Sequence, residues 1–420
     1  MIRLKKALRG QGHQFCNCMN GIKKSIYNVF YKTSGVCFIL FCTIDFLCAQ
    51  EKGGVVDALV NAGYENVSRE MGETEEVILF ENSLWRVNGE GISEAIKIIE
   101  TFPLIPGKGR RVVVLRNKIP QVSLLLHPDG TAGTGWNVSY ELGDSWKKIH
   151  DREFANNSRW KADLVFYPQF SLRNQKFHKI YDVLFNIAPA LEITPFRGTK
   201  IVGQVIIPVF NEFGALYDDV RPGYITVQQD FRIENVFLQA TVGNFNQNRW
   251  GMDLSFFRPF TKGWLQYFAV KGGVGLTGSS YFVDWNWHYG PTKLFTWNVG
   301  GSYYNPQYNV LCEVRVEKFL AGDIGVRADM TRHFKRASIG FYVMKNDYDN
   351  LDGGFHFSIL IPPMRYKRNR VRVTPARYFN LEYKAAGLFF NGKSYKTKPG
   401  QNKAEENFNP YYIKSQLQSN

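Results

Sequence analysis

Cysteine is scarce where it would matter. Five of the six, Cys16, Cys18, Cys37, Cys42 and Cys48, fall within the first 49 residues, so Cys312 stands alone in the rest of the chain. A single thiol makes neither an intramolecular disulfide nor a cysteine-rich metal site. Among the seven histidines (His13, His127, His150, His178, His288, His333 and His356) no pair has metal-ligand spacing. After Gln50 no apolar run reaches the roughly 20 residues that a membrane-crossing helix needs. Only 21% of residues are charged, whereas 15% are aromatic, a balance that excludes disorder and coiled coil. Lys271 to Gly278 is glycine-rich but lacks the closing Gly-Lys-Ser/Thr of a phosphate loop, and it reads better as a strand with a close neighbour. Asp349 and Asp352 flank a loop tip without the 12-residue ligand pattern of an EF-hand. The residues therefore assign no catalytic group, no metal and no cofactor.

The net charge of +15 is confined to the chain ends: residues 1–49 carry seven Lys/Arg against Asp45, residues 362–420 carry twelve against three acids, and the body between them carries 33 of each sign. A nucleic-acid partner is not expected of such a neutral body. Lys23, Lys24 and Lys32 precede an apolar run from Val36 to Ile44, and Leu47-Cys48-Ala49 comes before Gln50. That is the three-part layout of a cleaved secretory signal, with Met19 as an alternative start and the cut between Ala49 and Gln50.

Residues 50–127 read as a small α+β domain. A helix from Val55 to Asn61 ends at Gly63-Tyr64, and strands follow near Glu65–Arg69 and Val77–Phe80. Ile92, Ile96 and Ile99 then recur at helical spacing between Gly91 and Pro103, and a hairpin turns around Lys118–Pro120. Residues 128–158, with four glycines, read as a linker or a loosely ordered strand.

From Lys161 to Ile361 the period is two. Val310, Cys312, Val314 and Val316 alternate with Leu311, Glu313, Arg315 and Glu317; Ile324, Val326, Ala328 and Met330 alternate with Gly325, Arg327, Asp329 and Thr331. Ile225, Val227, Gln229, Phe231 and Ile233 alternate with Thr226, Gln228, Asp230 and Arg232. A soluble sandwich would give the same alternation, so length and connection order decide. About twelve runs span 161–172, 180–195, 199–209, 223–233, 236–246, 249–260, 264–277, 294–305, 308–320, 323–334, 336–346 and 352–361. Most have the roughly 9–11 residues of a tilted membrane-crossing strand rather than the 5 or 6 common in soluble sheets. Connections after even-numbered runs are short, and the long ones, 210–222 and 278–293, follow odd-numbered runs, as in an outer-membrane barrel with tight periplasmic turns. Trp160, Tyr167, Phe245, Trp250, Phe260, Trp264, Trp285, Trp287, Tyr303, Tyr304, Phe319 and Tyr348 lie near run ends, where interfacial girdles would place them. The expectation is a mainly β protein, a transmembrane antiparallel barrel of about 12 strands over 159–361, with a basic periplasmic tail over 362–420.

The stretch Glu317-Lys-Phe-Leu-Ala-Gly-Asp-Ile-Gly325, followed by Thr331-Arg-His-Phe334, Gly340-Phe-Tyr-Val343 and Gly353 to Pro362, resembles the C-terminal part of the YjbH family of outer-membrane exopolysaccharide-biosynthesis proteins. Ile207-Pro208, Asp219-Val-Arg221 and Gly243-Asn-Phe245 before Gly251 are similar to its mid-barrel pattern, and Ala58 to Arg86 to the small domain before it. Leu320, Gly322, Asp323 and Gly325 are the family-like turn. The chain has room for one barrel, and Lys335-Arg336 stand where the family has a glycine after Phe334.

The resemblance implies a bacterial outer-membrane barrel, not an enzyme, that assists biosynthesis or export of an exopolysaccharide or capsule as conduit or scaffold. Its partners would be the polysaccharide, outer-membrane lipids and periplasmic assembly proteins. Inward polar positions Asp230, Arg232, Glu313, Arg315, Glu317, Arg327 and Asp329 could meet the sugar or pair across a filled lumen. The competing readings are a secretion accessory barrel anchoring periplasmic machinery and a barrel enzyme acting on lipid or polysaccharide, the latter requiring clustered His, Asp and Ser. The tail cations Arg365, Lys367, Arg368, Arg370, Arg372 and Arg377 would contact anionic headgroups, peptidoglycan or a partner, or remain solvated.

Overall fold

The computed structural model describes residues 54–127, 135–143, 154–174, 181–347, 351–384, 392–401 and 408–418. The segment read as a secretory signal, with Ala49 and Gln50, lies outside them, as does Tyr348.

The first helix, α1 (Val55–Ala62), buries Val55 and Leu59 one turn apart. The second, α2 (Asn88–Glu100), buries Ile92, Ala95, Ile96 and Ile99, the i, i+3, i+4, i+7 set of one helical face. Both cover a five-stranded sheet in the order β1 (Glu65–Met71), β2 (Glu75–Glu81), β3 (Gly109–Arg116), β4 (Ile119–Leu126) and β5 (Asn137–Ser139). The β2–β3 pair is parallel and central, so both of its faces are covered. Ile78, Phe80, Val112 and Val114 meet the helices, while Val77, Leu79, Val113 and Leu115 form a second cluster behind the sheet with Leu142 and Phe154. Fully burying each such side chain contributes about 1.5–3 kcal/mol. Of the span read as a linker or a loosely ordered strand, the described residues supply β5 and part of the rear cover.

The larger sheet is an antiparallel meander of β6 (Ala162–Asn174), β7 (Tyr181–Ile193), β8 (Thr199–Asn211), β9 (Arg221–Ile233), β10 (Val236–Phe245), β11 (Arg249–Pro259), β12 (Phe268–Val283), β14 (Leu294–Asn305), β15 (Val310–Lys318), β16 (Ile324–His333), β17 (Ala337–Asn346) and β18 (Asp352–Leu360). Strand β13 (Asn286–Tyr289) only extends the β12 hairpin. The region read as a basic tail adds β19 (Val371–Pro375) and β20 (Tyr378–Lys384), one stretch of chain interrupted by Ala376-Arg377. Its first half pairs parallel with β6 and its second half antiparallel with β18. These are the two ends of the sheet order. Twelve antiparallel strands followed by a thirteenth require that the last and first run the same way, which is why this one pairing is parallel.

Burial in this sheet is inverted. Val314, Val326, Met330, Ile225 and Phe231 are exposed, while Glu313, Glu317, Asp329 and Thr331 on the alternate positions are buried. Exposed rings border the apolar band at both ends: Trp160, Phe196, Trp264 and Tyr308 at the end carrying the short turns, Phe210, Tyr281, Trp285 and Tyr289 at the other. Phe245, Tyr304 and Phe319, expected in those girdles, are instead buried.

The small domain sits against the short-turn end. Arg86 donates to the carbonyls of Ala376 (2.7 Å) and Pro375 (3.0 Å) and to the Thr374 hydroxyl, while Arg372 holds Asp163 through both carboxylate oxygens (2.9 and 3.0 Å) and the Ser83 carbonyl (2.7 Å). Arg368 adds ion pairs to Glu65 (3.4 Å) and Asp163 (3.2 Å), and Arg365 lies over the Trp85 ring at 5.4 Å. These tail cations are spent on internal docking. The last helix, α3 (Pro410–Gln418), returns to the same place and puts Ile413 into the small domain's core.

Candidate functional site: the polar face of the large sheet

The sheet's buried face carries charges that must be paired, because an isolated buried ion is costly. Glu313 is met by the Lys271 ammonium. Arg315 and Arg327 are directly opposed across β15 and β16, and each is balanced along its own strand, by Glu317 (3.1 Å) and by Asp329 through two hydrogen bonds (3.0 and 3.1 Å). Arg327 also lies 3.9 Å from the centroid of the Tyr342 ring and reaches Glu382 of β20 at 3.4 Å. Asp230 accepts from the side-chain amides of Gln228 (2.8 Å) and Gln239 (2.9 Å).

Arg232 is on the same face but belongs to the domain junction. It donates to the carbonyls of Pro120 (3.1 Å), Gln121 (2.9 Å) and Tyr140, and covers the Phe237 ring. Tyr140, Phe237 and Phe257 form an aromatic trio there, with centroids about 6 Å apart. Burial pushes the Tyr140 phenol well above its ordinary range. Glu90 of α2 meets Arg336 (3.1 Å) and Lys335 (3.8 Å), so the pair that departs from the family pattern serves to dock the domain.

All seven inward candidates therefore share one face. Glu313, Arg315, Glu317, Arg327 and Asp329 lie together on β15–β16, Asp230 stands apart, and Arg232 faces the small domain. Among the described residues, Thr331 Oγ1 lies 3.4 Å from His356 Nε2, and Thr331 is only 1% exposed. Among the described residues no group of His, Cys, Asp and Glu could hold a metal ion.

The family-like turn does something its glycine spacing did not suggest. Phe319 N donates to Asp323 O (2.8 Å) and Gly322, at φ +88°, donates to Phe319 O (3.1 Å), which closes a tight loop. Gly325 lies so flat that a Cβ would strike the Lys345 carbonyl and Asn346. The buried Asp323 carboxylate accepts from Asn346 Nδ2 (2.6 Å) and from the backbone N–H of Gly392 (2.9 Å), and Leu320 N donates to Lys393 O (3.0 Å). The turn thus anchors a strap, residues 392–396, that runs from the β15–β16 turn to the β10–β11 turn, where Lys396 N donates to Asn246 Oδ1 (2.5 Å). Between these anchors Tyr395 turns onto the polar face: its ring stacks on Phe245 (5.2 Å, 6°) and its hydroxyl donates to Asp253 Oδ2 (2.7 Å). The chain reappears at the short-turn end with Tyr411, whose ring lies 4.9 Å from Tyr267 and whose phenol is pushed up to about 12 by burial and by that neighbour. The alternation Val371-Arg-Val-Thr would have revealed β19, but nothing in the sequence marks Tyr395.

No family model and no curated protein matches the chain. Among solved structures, the in-vitro folded OmpT, an outer membrane protein of Vibrio cholerae, is 10% identical over 48% of this chain and 81% of its own, with a TM-score of 0.24. Its loop L8 deletion mutant is 12% identical over 47% and 87%, with a TM-score of 0.23. Scores this low carry neither architecture nor activity from those proteins to this one.

Proposed function

We propose that the large sheet is an outer-membrane β-barrel closed along Val371–Lys384, and that the protein assists production and export of a surface polysaccharide as a membrane scaffold whose lumen is occupied at rest. The inverted burial carries the first part. The twelve long strands run from 9 to 16 residues, with aliphatic rows outward and paired charges inward. Only a hydrocarbon surround makes that arrangement favourable, and there an open edge would cost several kcal/mol per unpaired backbone group. The small domain at the short-turn end would be periplasmic, in keeping with turn lengths in such barrels. The polysaccharide assignment draws on the YjbH-like turn and strand motifs, and on an interior combining aromatic faces with carboxylates and guanidinium groups. A resting lumen that holds Tyr395 at one mouth and the docked domain at the other favours scaffold over standing pore.

Two measurements test this. The mature chain should fractionate with the outer membrane and show a folded band that shifts on heating; recovery as a water-soluble monomer overturns the barrel. A deletion strain should lose surface polysaccharide and regain it on complementation; normal levels overturn the polysaccharide role while leaving the barrel intact.

A further inference from the structure

The position that Tyr395 fills is a shaped one. Phe245 gives it a ring to lie on, Asp253 accepts its hydroxyl, and Arg249 lines the near wall with its guanidinium on Thr277 Oγ1 (3.1 Å). Behind it stands Gly275, where a Cβ would sit 1.8 Å from the Tyr395 hydroxyl oxygen. Glycine in a strand interior weakens the strand and usually marks a site where something approaches closely. Here the missing side chain makes the room.

We infer that this pocket is a saccharide subsite of the lumen, occupied in the resting protein by the chain's own Tyr395. A flat ring against an aromatic face with a hydroxyl on a carboxylate is the contact set a neutral pyranose unit presents, and Tyr395 reproduces both halves of it. The occupant is held by a strap whose anchors include Gly392 on Asp323, Lys393 on Leu320, and Lys396 on Asn246 and, through its ammonium, on Glu382 (3.5 Å), with Ser394 exposed between them. Releasing those anchors would free the pocket without disturbing the strand ladder. The inference deepens the proposed polysaccharide role and rests on it.

The test uses the full-length protein refolded in a sugar-free detergent and titrated calorimetrically with maltohexaose, with heat-modifiable gel mobility as the check on folding. Tyr395→Ala should bind maltohexaose at least tenfold more tightly than wild type, and adding Asp253→Asn or Phe245→Leu should abolish the gain. Asp323→Asn, which loosens the strap without touching the pocket, should give a smaller gain in the same direction and serves if Tyr395→Ala does not fold. Equal binding by wild type, Tyr395→Ala and Asp323→Asn, or a gain that survives loss of Asp253 and Phe245, overturns the subsite. That result would leave the polysaccharide role standing if the deletion strain still loses its surface polymer, so the two failures are separable.

Discussion

Val113 in the small domain and Val314 in the large sheet are valines in strands of the same chain, yet the first is fully buried and the second is 54% exposed. Around Val113 the strand carries Val112, Val114 and Leu115, apolar on both faces and covered on both. Around Val314 it carries Glu313 and Arg315, polar on the covered face. The small domain buries its apolar faces, whereas the large sheet exposes an apolar face and buries a polar one. In the proposed barrel, what separates them is the solvent each apolar face meets.

The contrast can be broken most decisively inside the small domain. Phe80→Ala should cost about 3–5 kcal/mol by opening a cavity in a dry core. Denaturant unfolding followed by near-ultraviolet circular dichroism should show the domain lost while the gel mobility of the large sheet is kept; joint loss would mean the two regions are not separate folding units. On the other side, if that face meets lipid as the proposed barrel requires, Val314→Arg should cost about 2–4 kcal/mol, the penalty for a cation on a lipid-facing strand, read as the folded fraction in vesicles. A harmless Val314→Arg would mean that face sees water.

At the junction, Arg86→Ala strips a charged donor from three oxygens of the Thr374–Ala376 stretch and should cost about 2 kcal/mol, measured as earlier proteolysis near Val371–Lys384. The smallest effect concerns Lys118, whose ammonium is lowered from 10.5 to about 8 by burial and by nearby Arg159, against the opposing pull of Glu81. Folding thus disfavours its charged form. The penalty is complete below pH 8, fades as pH rises toward 10.5, and should appear as a stabilisation on the order of 1 kcal/mol between those limits. Thermal melts of wild type and Lys118→Met across that window check it, and parallel curves would contradict it.

Most of the long strands lie within a few residues of the runs read from the sequence, most clearly β9, β15 and β16, where apolar and polar residues alternate. The larger departures have physical causes. The run expected at 264–277 begins at Phe268, after a short helical turn, and continues to Val283 because Asn286–Tyr289 extend its ladder beyond the rim. The thirteenth strand escaped notice because its period-two pattern lies among arginines that suggested a solvated tail, although Arg372 in fact faces Asp163. The inward charges were readable one by one from periodicity. Their partners were not, since Lys271 with Glu313, or Arg327 with Glu382, depends on how strands far apart in sequence are brought together. Tyr395 was invisible for the same reason: it fills a space made by a glycine more than a hundred residues earlier.

The parallel pairing of Val371–Pro375 with Ala162–Phe166 sets an order of events for assembly. A nascent chain that stops anywhere before Val371 keeps two raw margins, one on each outermost strand, and neither can satisfy the other because the joining piece has not been delivered. In the proposed barrel, closure must therefore wait until nearly the whole polypeptide is available, and both margins stay unpaired until the final stretch arrives to stitch them.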